Sequence, residues 1–145
     1  MISNETYPHC DLSTDVKIPV KSLLVKKLFH KQRDRGMTLI EFESRCVRRG
    51  EVHELVTTTQ RNLEAGDRVN DVGFIGFVEI HNAGVIEKGD LVLANEEQLG
   101  TVVGFDECHF PNHYNILIES EQLISATDLN LSLLDTFTFI NAADK

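Results

Sequence analysis

The 145-residue sequence contains no tryptophan, only two tyrosines and only three cysteines. The scarcity of tryptophan and tyrosine argues against a surface that stacks nucleic-acid bases or sugars. The cysteines are odd in number and have no C-x-x-C spacing, which argues against a disulfide framework or a paired zinc motif. The sequence also starts without a secretory signal pattern, so we expect a reducing, cytoplasmic location.

Positive charge and long apolar runs are also scarce. The chain has 14 basic against 23 acidic residues and a formal net charge of −9. The average field therefore repels phosphate backbones and anionic lipids, and we expect no nucleic-acid partner. No apolar run approaches the roughly 20 residues of a membrane helix, so no membrane insertion is expected. The basic stretch 17–35 is interpreted as a solvated face that can also attract a small anion or an acidic protein.

The remaining composition is that of a globular protein, with 41% hydrophobic and 26% charged residues. Residues 1–15 are polar and aperiodic and contain Pro8, which predicts a flexible N-terminal arm. The length then fits a single β-barrel domain over residues 16–145. No cofactor is predicted. A homodimer is an expectation, because small barrels often leave strand edges exposed.

Strand patterns recur along the chain, whereas residues 16–29 fit a helix or an extended segment equally well. Short strands are predicted at Leu91 to Ala94, Thr101 to Phe105, Tyr114 to Glu119 and Thr136 to Ile140. Several short strands at this spacing predict a mainly β fold, a small closed or partly open β-barrel with one or two peripheral helices.

Earlier in the chain, residues 38–47 and 52–59 are predicted to pair as a hairpin with Arg49 and Gly50 near its tip. Residues 71–81 form the most apolar run, which predicts a central strand covered on both faces. Strict alternation assigns Val72, Phe74, Val78 and Ile80 to one face and Ile75, Phe77, Glu79 and His81 to the other.

One motif occurs twice, as Leu63-Glu-Ala-Gly-Asp-Arg-Val69 and as Ile86-Glu-Lys-Gly-Asp-Leu-Val92. Glycine supplies the positive φ that a turn requires, and a strand starts directly after each Asp. We interpret the copies as two similar turns at strand entries, with an ancient duplication as the alternative.

Several glycine turns and aliphatic strands follow in a recognisable order. They are Gly84-Val-Ile-Glu-Lys-Gly89, Val102-Val-Gly104, Asn115-Ile-Leu-Ile118 and the span from Asp128 to Phe139. This order, over the C-terminal two-thirds of the chain, resembles the sorbitol (glucitol) enzyme IIA family of the bacterial sugar phosphotransferase system. The resemblance implies a barrel fold and a bacterial protein. The family's reactive stretch, Phe-Ile-His-Cys-His-Gly, corresponds here to Phe77-Val-Glu-Ile-His81-Asn-Ala-Gly84, which keeps one histidine. A phosphocarrier phosphorylated on His81 is therefore the alternative function that the resemblance implies.

Histidines beside carboxylates are the main candidates for chemistry. Glu79 and His81 lie two residues apart on one strand and point to the same face, where a carboxylate can tune an imidazole for proton transfer. His53 shares a face with Leu55 and is predicted to join His81 across the barrel, whereas Glu54 points to the opposite face. The predicted catalytic residues are therefore His81, Glu79 and His53.

A second group lies in the polar loop 106–114, because loops held by a rigid scaffold often carry sites. Asp106, His109 and His113 are predicted to bind substrate, and Arg45 to supply a cation for an anionic one. Zinc bound by His109 and His113 with Cys108 or Asp106 is an alternative, but the spacing matches no closed zinc pattern and no metal is predicted.

The first functional hypothesis is a protein that binds or transforms a small polar metabolite by histidine and carboxylate acid–base chemistry. The second is the phosphocarrier, and the third is a non-catalytic regulatory or structural barrel. Fold alone does not separate them, because unrelated activities share one architecture.

Overall fold

A computed structural model describes residues 16–142. The predicted arm, residues 1–15, lies outside the described residues. The strands are β1 (Val20–Lys27), β2 (Lys31–Gln32), β3 (Met37–Thr38), β4 (Ser44–Val47), β5 (Val52–Thr58), β6 (Arg68–Val69), β7 (Val72–Ile80), β8 (Gly84–Glu87), β9 (Leu91–Ala94), β10 (Glu97–Asp106), β11 (Asn115–Glu119) and β12 (Thr136–Ile140). One short helix, α1 (Ala126–Leu129), precedes β12.

Seven of these strands form a closed ring of hydrogen-bonded neighbours. The order is β1-β12-β9-β10-β11-β5-β7, and β7 also pairs with β1. The pair β11–β5 is parallel and the other pairs in the ring are antiparallel. The predicted small, mainly β fold with a peripheral helix is confirmed. No helix in the part of the chain described is long and apolar enough to cross a membrane.

Buried apolar side chains form two clusters, one on each side of the sheet. The larger contains Leu55 and Ile116. Their chain neighbours Val56 and Leu117 belong to the smaller cluster. Successive strand residues point to opposite faces, so both faces of β5 and β11 are covered. Residues of the β3–β6 pair, such as Met37, complete the smaller cluster.

The predicted faces of β7 were wrong in one respect. Val72 and Phe74 lie in the smaller cluster, but Val78 and Ile80 lie in the larger one. The register with β5 shifts opposite Gly76, so the alternation changes phase there. Gly76 has φ +148°, and a Cβ at this position would collide with the Lys26 carbonyl oxygen of β1. The strand is covered on both faces, as predicted.

The predicted hairpin between residues 38–47 and 52–59 was also wrong. β3 and β4 are separate short strands, and β4 pairs with β8. Both edges of β5 are already occupied, by β7 on one side and β11 on the other.

The ambiguous segment 16–29 contains strand β1, and the strands predicted at Leu91–Ala94 and Thr136–Ile140 have those bounds.

The two repeated turns have the same local geometry. Gly66 and Gly89 have φ values of 91° and 95°. The carboxylates of the following residues, Asp67 and Asp90, accept hydrogen bonds from backbone N–H groups three residues earlier at 2.8 and 2.9 Å. Each Asp therefore closes its turn, which confirms the turn interpretation and leaves the question of duplication open.

Candidate functional site

The loop between β10 and β11, residues 107–114, folds back over the start of β5. The backbone N–H of Glu54 donates to the Tyr114 carbonyl at 3.0 Å. The Tyr114 N–H donates to His53 Nδ1 at 3.1 Å. These bonds place the loop's side chains against His53 and Glu54. The two residues precede Tyr114 by 61 and 60 positions in the sequence.

His53 is held at both ring nitrogens. Its Nδ1 accepts from the Tyr114 amide, and its Nε2 lies 2.9 Å from Glu51 Oε1. Because Nδ1 is an acceptor, the neutral ring carries its proton on Nε2 and donates it to Glu51. His53 is buried, whereas the Glu51 side chain is 36% exposed. The solvent-facing member of this pair is therefore the carboxylate.

Glu54 pairs with His113 on the face of β5 opposite to His53. Glu54 Oε1 lies 3.1 Å from His113 Nε2, and the two side chains are only 7% and 8% exposed. The edge of Phe77 packs against the His113 ring at 4.9 Å between centroids. Strand alternation predicts Glu54 on the face opposite His53, but nothing in the sequence spacing connects Glu54 to His113.

His109 stacks on His113, with ring centroids 5.0 Å apart and an angle of 29° between the planes. His109 itself is exposed, and its Nε2 lies 3.4 Å from an Arg35 guanidinium nitrogen. The ligand atoms of Glu54, His109 and His113 lie within 4.8 Å of one another. This group brings together residues from β5 and from both ends of the loop.

Asp106 anchors the loop rather than facing a groove. Its carboxylate accepts hydrogen bonds from the backbone N–H groups of Thr38 and Cys108, both at 2.9 Å, and from the Asn115 amide at 3.0 Å. Burial alone would raise the pKa of Asp106, but these bonds outweigh it and hold that pKa below its ordinary value.

The Cys108 thiol lies outside this histidine group. Burial, followed by the neighbouring Asp106 carboxylate, raises the pKa of Cys108, although Arg35 acts in the opposite direction. The thiol therefore stays protonated near neutral pH, which makes it a poor nucleophile.

Arg45 on β4 lies over the aromatic face of Tyr114, with its guanidinium carbon 3.5 Å from the ring centroid. Its Nε is buried and has no hydrogen-bond partner among the described residues. A groove of about 330 Å³ runs past these two side chains. It is lined by Arg45, Glu51, Val52, His53 and the loop residues 110–114.

Glu79 and His81 do not form part of this arrangement. Both are exposed, at the end of β7 and just after it. The described residues provide no hydrogen-bond partner for either side chain, and His53 bonds to Glu51 and Tyr114 rather than to His81. The catalytic role of His81 and its phosphorylation stay predictions.

A second groove, of about 540 Å³, lies near Glu119, at the opposite end of β11 from the loop 107–114. Its charged residues are Arg61, Glu119 and Glu121, and Arg61 pairs with Glu119 at 3.4 Å. No histidine lines it. The groove beside Arg45 therefore combines space with histidine side chains, and the larger one does not.

The fold and the site define a small, mainly β protein whose polar cluster lies where one loop meets β5. Residues 14–140 match the model of a family of unknown function, DUF6917, and the chain belongs to that family. Comparisons with curated proteins and with solved structures found no match.

Proposed function

We propose that this protein binds a small anionic metabolite in the groove beside Arg45 and transfers a proton through the Glu51–His53 pair. The ligand class is a carboxylate or a phosphate monoester, because a guanidinium binds the planar or multiple oxygens of these groups through parallel hydrogen bonds. Arg45 carries the proposal. Its charge is permanent, its plane is fixed against Tyr114, and its Nε lacks an acceptor among the described residues.

The Glu51–His53 pair supplies the chemistry. Both nitrogens of His53 are engaged, so a proton passing to or from the ligand moves through the exposed Glu51 carboxylate. His53 orients that carboxylate and donates a hydrogen bond to it. The sequence hypothesis of histidine and carboxylate acid–base chemistry thus takes a more specific form, in which Glu51 is the exchanging group and His53 its partner.

The cellular location and the oligomeric state of the protein are part of the same proposal. Both described cysteines, Cys46 and Cys108, are free thiols, which supports a reducing, cytoplasmic environment. A homodimer remains the proposed assembly, and β2 is a short strand at the edge of the sheet that can take part in it.

A thermal-shift screen with small carboxylates and phosphate monoesters tests the binding step. A ligand present at 100 times its dissociation constant stabilises the folded state by about 2.7 kcal/mol. We expect the stabilisation in the wild type and in the control Arg49→Met, whose arginine is exposed, and its loss in Arg45→Met. Equal stabilisation of Arg45→Met would remove Arg45 from the site. For a ligand that is turned over, Glu51→Gln should keep binding and lose turnover.

A phosphocarrier function on His81 is the second candidate, and the exposure of this side chain after β7 favours it. Incubation with the general phosphotransferase components and labelled phosphoenolpyruvate tests it directly. Label that appears in the wild type and not in His81→Ala supports the carrier, whereas an unlabelled wild type rules it out.

A further inference from the structure

We propose that Glu54, His109 and His113 bind one divalent transition-metal ion, for which Zn²⁺ is the best match. The proposal depends on this group alone and not on the groove ligand. A carboxylate and two imidazoles are ligands that zinc accepts, and two His with one Glu leave a fourth position open for water or a substrate atom. Their ligand atoms already lie within 4.8 Å of one another.

The required rearrangement is small. Zinc bonds of 2.0 to 2.2 Å in a tetrahedron place ligand atoms about 3.4 Å apart. Glu54 and His113 already have atoms 3.1 Å apart. The remaining distance can be closed by His109, which is exposed on a surface loop, whereas its two partners are buried and fixed. Two ligands are therefore in place and the third is free to approach.

The electrostatics of Glu54 favour a cation at this point. A buried carboxylate is costly unless a positive charge or several hydrogen bonds compensate it. Its side-chain partner among the described residues is His113, whose neutral imidazole offers a hydrogen bond but no positive charge. A metal ion bound between the two would supply that charge while His113 ligates it as the neutral imidazole.

Two neighbouring side chains, Phe77 and Arg35, affect how tightly the site binds the ion. Phe77 covers one side of His113 and limits water access, which strengthens the attraction between the ion and Glu54. Arg35 opposes the ion, because its guanidinium lies 3.4 Å from His109 Nε2. Arg35 is half-exposed and must turn away when the metal binds. The Cys108 thiol is not in the ligand group.

Isothermal titration of the full chain with ZnCl₂ tests the proposal. We expect one equivalent to bind in the wild type and in the controls Glu79→Gln and His81→Asn. In His109→Ala that equivalent should weaken by about tenfold or more, since even the loss of a group supporting a ligand costs that much. His109 is exposed, so this variant should fold normally. No binding by the wild type, or unchanged binding by His109→Ala, would overturn the site.

Three further variants test the ligands and their neighbours. Glu54→Gln keeps the shape of the side chain and removes its charge, so it should fold and bind weakly; full affinity would exclude Glu54. Arg35→Ala should bind at least as tightly as the wild type, because it removes a competing cation.

Titration with CoCl₂ should give a spectrum without a cobalt–thiolate band, and should give the same spectrum for Cys108→Ser. A thiolate band that disappears in Cys108→Ser would assign the ion to a different site. These readouts need no groove ligand, so they succeed or fail independently of the proposed function.

Discussion

Two regions of this protein combine histidine with carboxylate, and they differ in how the groups meet. At the end of β7, Glu79 and His81 are two residues apart and exposed, and their side chains have no hydrogen-bond partners among the described residues. Where the loop 107–114 meets β5, Glu54 and His113 are 59 positions apart, buried and 3.1 Å from each other. The second pair is buried, with Phe77 and His109 packed against His113, while the first pair is exposed.

This difference shows what strand alternation can and cannot establish. Alternation predicts that two side chains point to the same face, but it does not predict that anything covers them. Fixed geometry and exclusion of water, which acid–base and metal chemistry both require, come from covering elements. The functional proposals therefore follow the covered region.

The largest expected difference between the regions is in stability. Glu54→Ala leaves His113 buried without its partner and should lower the free energy of unfolding by about 3 kcal/mol. Glu79→Ala, at an exposed position, should change it by less than about 0.5 kcal/mol. Urea denaturation measures both. Equal effects at the two positions would remove the distinction between a covered and an uncovered pair.

A smaller effect is expected at Asp106, which holds the loop in place. Asp106→Asn turns an amide toward donors that need an acceptor, and should cost about 1 to 3 kcal/mol at neutral pH. The pKa of Asp106 lies below its ordinary value in the folded state. Its stabilisation is therefore complete above the ordinary pKa and is lost as the pH falls through the lowered one.

Urea midpoints measured across the acidic range check this pH dependence. The wild type should lose more stability on acidification than Asp106→Asn, since the variant has no carboxylate to protonate. Glu107→Gln, an exposed neighbour, serves as the control and should follow the wild type. Parallel curves for the wild type and Asp106→Asn would show that Asp106 does not anchor the loop electrostatically.

The smallest effect concerns the contact between Arg45 and Tyr114, which has no counterpart at the end of β7. A double-mutant cycle with Arg45→Met and Tyr114→Leu should give a coupling energy of about 0.5 to 1 kcal/mol, the usual size of a partly exposed cation–π contact. Tyr114→Phe keeps the ring and should retain most of the coupling. A coupling near zero would mean that Arg45 is not fixed against the ring.

Local patterns predicted the parts of the fold that depend on local rules. The strands at Leu91–Ala94 and Thr136–Ile140 follow from short apolar runs, and the turns at Asp67 and Asp90 from a glycine before an Asp. A third turn has the same hydrogen bond, from the Ser132 N–H to the Asp135 carboxylate at 2.7 Å. It was missed because Leu134, with φ 73°, stands where the other two have glycine.

The remaining errors come from non-local pairing. The change of phase at Gly76 depends on the close approach of the Lys26 carbonyl, 50 positions earlier in the chain. Likewise, His53, His113 and Arg45 were candidates from residue type alone, but their actual partners, Glu51, Glu54 and Tyr114, depend on where the loop lands. A single sequence contains no direct signal for such contacts.

The central claim is that the functional site lies where the loop 107–114 meets β5. Histidine-ring NMR signals, assigned through single His variants, test it most directly during titration with small carboxylates, phosphate monoesters and ZnCl₂. We predict that ligands which bind shift the His53, His109 or His113 signals and leave His81 unchanged. A ligand that shifts His81 alone would contradict the account and move the site to the end of β7.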